Sequence, residues 1–593
     1  MACVQRILDQ VAQQPGRPWL IEIHGTTPLP VRGRTLLQWV GQYRAGLTAA
    51  GVAPGDRVAL VAPNSAYWVA ADLAILAHGA VTVPLYARQA RGYLINQLVH
   101  ADPAFVFLCG AGTLTPEDLT RELGALMDKA PPIVELKAWV SGSPSASQGV
   151  VPATRPEAVA PVGEDDLATI IYTSGTSGEA KGVMLSHGNL DTMLTQVEGA
   201  LNDLIGGSGH EEAVFHYLPF CFAGSRIAVL CQLLRNNSVS LSTDLSELPQ
   251  ELKAAAPHYF LNVPMLLERM KRTVEEELQR RSKLLFRGYE RALAAYRAEQ
   301  AGRATLADGL ALRAARRTLF PALKAGLGIN LRFLICGSAP LSPETQAWFE
   351  MLSVPVYQVY GLTETTAIVS LDDATSPLGG TVGKPLPVGH CRITSSGELQ
   401  VKGPHVFRGY FRNPAATAEV FEDGWFKTGD LAAFDEAGRL RILGRAKNLI
   451  VPASGHNVAP EPIEEALITQ LRGLENAVVV GDGRPYLTVL LAGRFEAEAA
   501  EAALARVNAE LPHYQQLRAY AHVGESLRDV EGVFTSNQKL RRGAFLAHYE
   551  AEIDALYRRQ RTSSGVVRVS ADRASRLESA WAWLSRAGRH RKH

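Results

Sequence analysis

The stretch Ala168-Thr-Ile-Ile-Tyr-Thr-Ser-Gly-Thr-Ser-Gly-Glu-Ala-Lys-Gly182 runs from an apolar segment into a turn of hydroxyl residues and glycines. The run through Ile170 and Ile171 predicts a β-strand. Beyond it, Thr173, Ser174, Gly175, Thr176, Ser177 and Gly178 carry little side-chain bulk. Their backbone can approach an anion closely and donate several hydrogen bonds, as a polyphosphate requires. Lys181 adds a point charge for the same anion. The spacing is not that of a P-loop: Gly175 to Lys181 does not fit G-x-x-x-x-G-K-[ST], and Gly182 stands where a magnesium-binding hydroxyl would be. Nucleotide hydrolysis on that fold is therefore not expected.

Working outward, short apolar runs alternate with helical stretches. Arg57-Val-Ala-Leu-Val-Ala and Ala80-Val-Thr-Val-Pro-Leu flank a helical Tyr67–His78, and a second cycle runs from Ala168 through Ala228-Val-Leu-Cys-Gln-Leu-Leu to Tyr259-Phe-Leu-Asn-Val. That rhythm predicts crossover units on a parallel sheet, hence a large α/β domain. Between 266 and 325 the pattern turns helical, with Leu267, Met270, Val274 and Leu278 on one stripe, which reads as an amphipathic hairpin packed on the sheet domain. Near Gly397-Glu-Leu-Gln-Val-Lys-Gly the chain becomes turn-rich and predicts a β subdomain. The helix Pro462-Ile-Glu-Glu-Ala-Leu-Ile and the strands at Ala477-Val-Val-Val-Gly and Tyr486-Leu-Thr-Val-Leu-Leu-Ala predict a compact second domain. The expected organisation is a first domain over 1–443, a smaller α+β domain over 444–548 and a basic tail over 549–593. From Arg561 onward, eight basic residues face two acidic ones, which suggests a tail or a loosely docked helix, with an anionic surface as the sharper alternative.

Further candidates lie along the chain. Val356-Tyr-Gln-Val-Tyr-Gly-Leu-Thr-Glu-Thr reads as a strand ending in a turn at Gly361. Tyr360 offers a face for a stacked base, and Glu364 is the hard oxygen ligand that Mg2+ takes beside phosphate oxygens. Read alone, the same residues are equally a strand end followed by a helix cap. Gly337, Ser338, Ala339 and Pro340 follow the apolar run Leu331-Arg-Phe-Leu-Ile and are small enough to wall a flat base. In Trp425-Phe-Lys-Thr-Gly-Asp430 a carboxylate sits in a tight turn, placed to accept from ribose hydroxyls, and Arg445 is a candidate for the same sugar. Singly, each of these is more often a β-turn than a ligand contact.

Composition narrows the classes. In 593 residues, 60 Lys plus Arg balance 59 Asp plus Glu, so no global field recruits nucleic acid and anions must be held locally. Cys3, Cys109, Cys221, Cys231, Cys336 and Cys391 are scattered, with no spacing suited to zinc or disulfides, which predicts a reducing compartment. The first residues lack the apolar core of a signal peptide, and no apolar run reaches bilayer length. A cytoplasmic location is expected, with peripheral contact at the inner membrane left open.

Taken in order, these five motifs resemble the adenylate-forming superfamily of acyl-CoA synthetases, luciferases and peptide-synthetase adenylation domains, over roughly residues 20 to 548. The helical insertion, Gly444-Arg-Ala-Lys-Asn-Leu-Ile and Asn457-Val-Ala-Pro-Glu-Pro-Ile-Glu are most similar to the long-chain acyl-CoA synthetase branch. The resemblance implies an adenylation domain with a mobile lid domain, and ATP, Mg2+ and coenzyme A as cofactor and co-substrates. It implies that a medium- to long-chain fatty acid is activated as acyl-AMP and then passed to the CoA thiol. On this likeness Thr363 lies beside the α-phosphate, Glu364 holds Mg2+, Lys539 bridges the acyl carboxylate and the α-phosphate, and Lys447 is the hinge. Ser454-Gly455-His456 falls where relatives line the thiol channel. The family commonly has proline where Ser536 stands. Long-chain members often have histidine at Phe222, which makes Phe222 the acyl-site candidate. His187 and Asn189 read as helix-start structure. Three rivals remain: a ligase whose acceptor is an acyl-carrier protein, a catalytically silent relative that binds nucleotide or acyl-AMP, and luciferase-like oxidation of the adenylate. Oligomeric state is not legible.

Overall fold

The computed structural model describes all residues except 1, 110–113, 141–158, 175–179, 208–210, 374–377, 454, 528–529, 531, 535–539, 559–566 and 571–593. The chain divides into two compact units, Met1–Thr428 with Ala432–Ile442, and Gly429–Leu431 with Leu443–His593.

The large unit holds two sheets built as the alternating pattern requires. One has six strands in the order Ile133–Glu135, Phe105–Leu108, Arg57–Val61, Val81–Leu85, Leu167–Ser174 and Ala180–Ser186, parallel except for the last, which returns antiparallel. The other has nine strands. Its parallel centre runs through Val356–Tyr360, Leu334–Cys336, Tyr259–Asn262, Ala213–His216, Ser238–Ser242 and Pro18–His24, and antiparallel strands close both ends. A helix over Ala66–His78 is apolar on nearly every face because it packs against strands of both sheets. The Ser65 hydroxyl accepts from the Trp68 N–H at its start, and Gly79, at φ +81°, ends it. Its single buried acid, Asp72, is paired bidentately with Arg226 at 2.6 and 2.7 Å.

The segment expected as a hairpin consists of four helices, Pro264–Arg281, Lys283–Gln300, Leu306–Arg317 and Leu319–Leu327. Leu267 and Leu278 are buried and Met270 and Val274 half-buried in one core with Tyr289, Trp348 and Phe349, so the stripe does face inward. The extra turns arise at Ser282 and Thr305, whose hydroxyls each cap a new helix. The strand expected over 331–335 is shorter and shifted, Leu334–Cys336. A third sheet joins His390–Ile393, Glu398–Lys402, Trp425–Phe434, Phe421–Glu422 and Leu440–Arg445.

In the small unit, strands Leu474–Val480, Leu487–Gly493, Leu517–Gly524 and Val567–Ser570 form one sheet. Alternation splits it cleanly: Val479, Val489 and Leu491 join a core with helices Glu461–Gln470 and Ala497–Glu510, while Val478, Val480 and Leu490 face Phe545, Tyr549 and Leu556. Helix Glu550–Arg558 and strand Val567–Ser570 lie beyond 548, so ordered structure continues into the segment expected to be a tail. Its last residues, 571–593, lie outside the described residues.

Candidate active site

The strand Leu167–Ser174 and its antiparallel return Ala180–Ser186 flank the hydroxyl–glycine motif, with Thr173 opposite Lys181 in register. Gly175, Thr176, Ser177 and Gly178 lie outside the described residues, as do Lys539 and Ser454. Gly182 is required sterically: a Cβ there would lie 2.8 Å from Ile170 Cγ2 and 3.3 Å from Phe411. The returning strand pairs on its other side with residues 408–411, where Phe411 N–H donates to the Gly182 carbonyl at 2.7 Å and Tyr410 lies opposite Val183. Residues two apart share a strand face, so Lys181, Val183 and Tyr410 project the same way. The Lys181 ammonium accordingly stands 4.9 Å from the centre of the Tyr410 ring.

Glu364 reaches the same tyrosine from elsewhere. It lies in a short 3-10 turn, Thr363–Thr365, where the sequence had also allowed a helix cap, and its carbonyl accepts from Phe407 N–H at 2.8 Å. Its carboxylate accepts a hydrogen bond from the Tyr410 hydroxyl at 2.9 Å. Thr363 and Glu364 are half-buried. Gly361 allows the chain to fold back here, since a Cβ would fall 1.9 Å from the Ala367 carbonyl oxygen. Thr366 and Ala367 take positive φ, at 53° and 102°, to complete the turn.

Tyr360 and Gly337 end neighbouring parallel strands, with Cys336 opposite Gln358. Open α/β sheets characteristically bind ligands at the carboxyl ends of such strands. Gly337 is buried with Val359 Cγ2 2.6 Å from the place of its missing Cβ, whereas Ser338, at φ 73°, Ala339 and Pro340 are exposed. Behind them Gln358 donates to Gln346 at 2.9 Å and to the Thr381 carbonyl at 3.0 Å. Phe222 is half-buried at the start of helix Ala223–Leu234 and stacks on Tyr86, ring centres 6.4 Å apart. The turn before it is held by His216, whose Nε2 lies 2.6 Å from the Ser225 hydroxyl and 3.0 Å from the Leu218 carbonyl. Burial pushes this imidazole down to about 4, so it is neutral and structural. Burial likewise pushes the Cys221 thiol up to about 12, which removes it as a nucleophile. His187 and Asn189 do open a helix: Ser186 and Asn189 form a reciprocal capping box.

In the small unit Asp430 is buried and its carboxylate receives the Arg445 guanidinium Nε at 2.8 Å. Asp430 lies within the strand Trp425–Phe434 and not in the tight turn expected for it, and Arg445 ends the paired strand Leu440–Arg445, so strand pairing brings the two together. Lys447 is exposed on the short turn Ala446–Asn448, and His456 is exposed and stacked on Tyr514 at 4.4 Å.

The sequence reading omitted Tyr410, which lies in an unremarkable Arg408-Gly-Tyr-Phe-Arg run, and Tyr86 beside Phe222. Neither carries a local signal, because each meets its partner across a long stretch of chain, Tyr410 through strand pairing and Tyr86 from the end of the strand Val81–Leu85 to a helix start. Among the described residues no group of three or more His, Cys, Asp or Glu converges. A single half-buried carboxylate suits Mg2+, which dehydrates reluctantly and is commonly held by one or two carboxylates together with substrate phosphates.

Comparison with known proteins matches residues 8–411 to the AMP-binding enzyme family and 447–561 to the AMP-binding enzyme C-terminal domain. The chain is 31% identical to the long-chain-fatty-acid–CoA ligase FadD15 of Mycobacterium bovis, over 89% of this chain and 92% of that protein. It is 26% identical to the long-chain-fatty-acid–[acyl-carrier-protein] ligase AEE15 of Arabidopsis thaliana, over 91% of this chain and 84% of that protein. In fold it is similar to ATP-bound MatB from Rhodopseudomonas palustris, with TM-score 0.69 and 22% identity over 92% of this chain and 99% of that one.

Proposed function

This chain belongs to the AMP-binding enzyme family, and from that premise we propose that it is an AMP-forming ligase that activates a medium- to long-chain fatty acid and transfers the acyl group to coenzyme A. The observation that carries the reading is the convergence of Lys181 and Glu364 on Tyr410, with Lys181 on the strand that follows the hydroxyl–glycine sequence. In the first step the acid's carboxylate attacks the α-phosphorus of ATP, forming acyl-AMP and releasing pyrophosphate. Thr173 to Gly178 and Lys181 hold the β- and γ-phosphates, and Thr363 lies by the α-phosphate. Mg2+, when bound, neutralises charge on the polyphosphate oxygens, and Glu364 would hold it. Positioned cations and amides supply most of the catalysis in such transfers. Tyr360 and Gly337–Pro340 flank the base, and Asp430 with Arg445 binds the ribose. Lys539 bridges the acyl carboxylate and the α-phosphate.

In the second step the CoA thiol attacks the acyl carbonyl and AMP leaves. The domains proposed are an adenylation domain over 1–443 and a lid that rotates at Lys447 between steps. Phe222, with Tyr86, walls the acyl site. A carrier-protein phosphopantetheine thiol is the second acceptor to weigh, because a relative matched over 91% of this chain is named for that acceptor. Among the described residues no helix is long and apolar enough to cross a membrane. We place the enzyme in the cytoplasm, with peripheral contact to anionic lipid through the basic segment from Arg561, and salt-sensitive sedimentation with anionic vesicles tests that contact.

Acid-dependent exchange of pyrophosphate into ATP, run across a panel of carboxylic acids and followed by CoA or a carrier protein as acceptor, tests the whole reading. Exchange with aliphatic acids of medium to long chain and thioester formation with CoA are expected. No acid-dependent exchange under any condition would remove it. Lys539→Ala is expected to abolish exchange while thioester formation from supplied acyl-AMP continues, and equal loss of both steps would contradict its role.

A further inference from the structure

We infer that Tyr410 is a positioning residue that sets the geometry of the proposed polyphosphate–magnesium site, through its hydroxyl on Glu364 and its ring beneath Lys181. The inference rests on the function proposed above and adds a residue to it. Tyr410 is only 7% exposed and is packed among Val183, Leu185, Phe407 and Phe426, so its ring has little freedom. Its backbone is pinned on both sides: its N–H donates to the Thr417 hydroxyl at 2.9 Å, and the neighbouring Phe411 N–H donates to Gly182 at 2.7 Å. Gly409, at φ 137°, admits Thr417 at 2.7 Å from its missing Cβ, which brings that hydroxyl close enough.

One rigid side chain therefore touches two charged groups that come from distant parts of the chain. The phenol O–H donates to Glu364 at 2.9 Å and so selects one carboxylate rotamer. That bond occupies Oε1, so the orientation of Oε2 is set by the same contact. On the ring face, Lys181 stands 4.9 Å from the centroid, within the range of cation–π attraction. A tyrosine serves both contacts at once. Phenylalanine would keep the ring and lose the hydrogen bond, and leucine would lose both.

The two substitutions separate the roles. Binding of Mn2+, as a paramagnetic stand-in for Mg2+, is followed by electron paramagnetic resonance on the full chain with the non-reactive analogue α,β-methylene-ATP, alongside pyrophosphate exchange at varied Mg2+. Tyr410→Phe is expected to weaken Mn2+ binding and raise the Mg2+ needed for half-maximal exchange by roughly tenfold, the worth of one hydrogen bond to a charged group, with the ATP KM at saturating Mg2+ near that of the parent. Tyr410→Leu is expected to show the same metal defect and, in addition, an ATP KM raised several-fold. Circular dichroism and thermal unfolding confirm that each variant is folded, and Tyr410→Phe keeps the packing if the leucine variant does not fold. Unchanged Mn2+ binding and unchanged Mg2+ dependence in Tyr410→Phe would overturn the inference, even if kcat fell. If the parent chain itself shows no acid-dependent exchange, the proposed function fails first, and the two failures are thus distinguishable.

Discussion

Asp372 is a carboxyl group with 2% of its surface exposed, behind the strand that ends at Tyr360. One oxygen accepts the Gln358 N–H at 2.8 Å, and the other has no hydrogen-bond partner among the described residues. Burial pushes its pKa up to about 7. In the unfolded chain the same group ionises in the ordinary carboxylate range, so the folded state is penalised progressively as pH rises from about 4 to about 7, and the penalty is constant above that. Asp372→Asn keeps the acceptor and removes the charge. It should stabilise the protein by roughly 2–4 kcal/mol at pH 8 and by little at pH 4. Urea unfolding at the two pH values checks this, and a gain of equal size at both would count against it. Arg226 behaves in the opposite sense. Its Nε and Nη2 are paired with buried Asp72, which also accepts the Thr82 hydroxyl at 2.9 Å. Arg226→Met strands that carboxylate and is expected to cost about 3–5 kcal/mol, whereas adding Asp72→Leu should restore most of it. Thermal denaturation of the three variants distinguishes a lost pair from lost packing.

At the scale of elements, the helix His187–Ile205 shows how a start signal is put to a second use. Ser186 and Asn189 cap it reciprocally, at 3.2 and 2.8 Å. Asn189 also donates to the carbonyls of Pro404 and Val406 at 2.7 and 3.1 Å, so the helix start is tied to the segment that leads to Tyr410. Ser186→Ala removes one cap bond and should cost about 1 kcal/mol. Asn189→Ala also leaves two carbonyls without their donor and should cost about 2–3 kcal/mol. Chemical denaturation measures both, and equal losses would mean that the contacts to 404 and 406 contribute nothing. The four-helix insertion illustrates the reverse case. Its apolar stripe was visible as periodicity, but two of the three boundaries between its four helices rest on single capping hydroxyls, at Ser282 and Thr305, which are weak signals in sequence.

For the molecule as a whole, the two units have separate hydrophobic cores, the small one built around Val479, Val489 and Leu491. Separate cores favour separate cooperative transitions. Leu491 is fully buried, and Leu491→Ala is expected to cost roughly 2–5 kcal/mol. Scanning calorimetry should show one transition lowered and the other unmoved. A single transition displaced as a whole would show that the units unfold together.

The amino-acid sequence by itself determined the α/β class, the family likeness and which contiguous motifs, after Ile171 and from Val356 to Glu364, are the candidates, because each is written in neighbouring residues whose periodicity or turn chemistry is local. It did not reveal Tyr410, Tyr86 or the Asp72–Arg226 pair. Tyr410 lies 46 residues from Glu364 in the chain and reaches it only because the segment 408–411 adds to the edge of the strand Ala180–Ser186. Strand pairing at that separation depends on which edges remain open once the sheet has formed, and no short window of sequence contains that information.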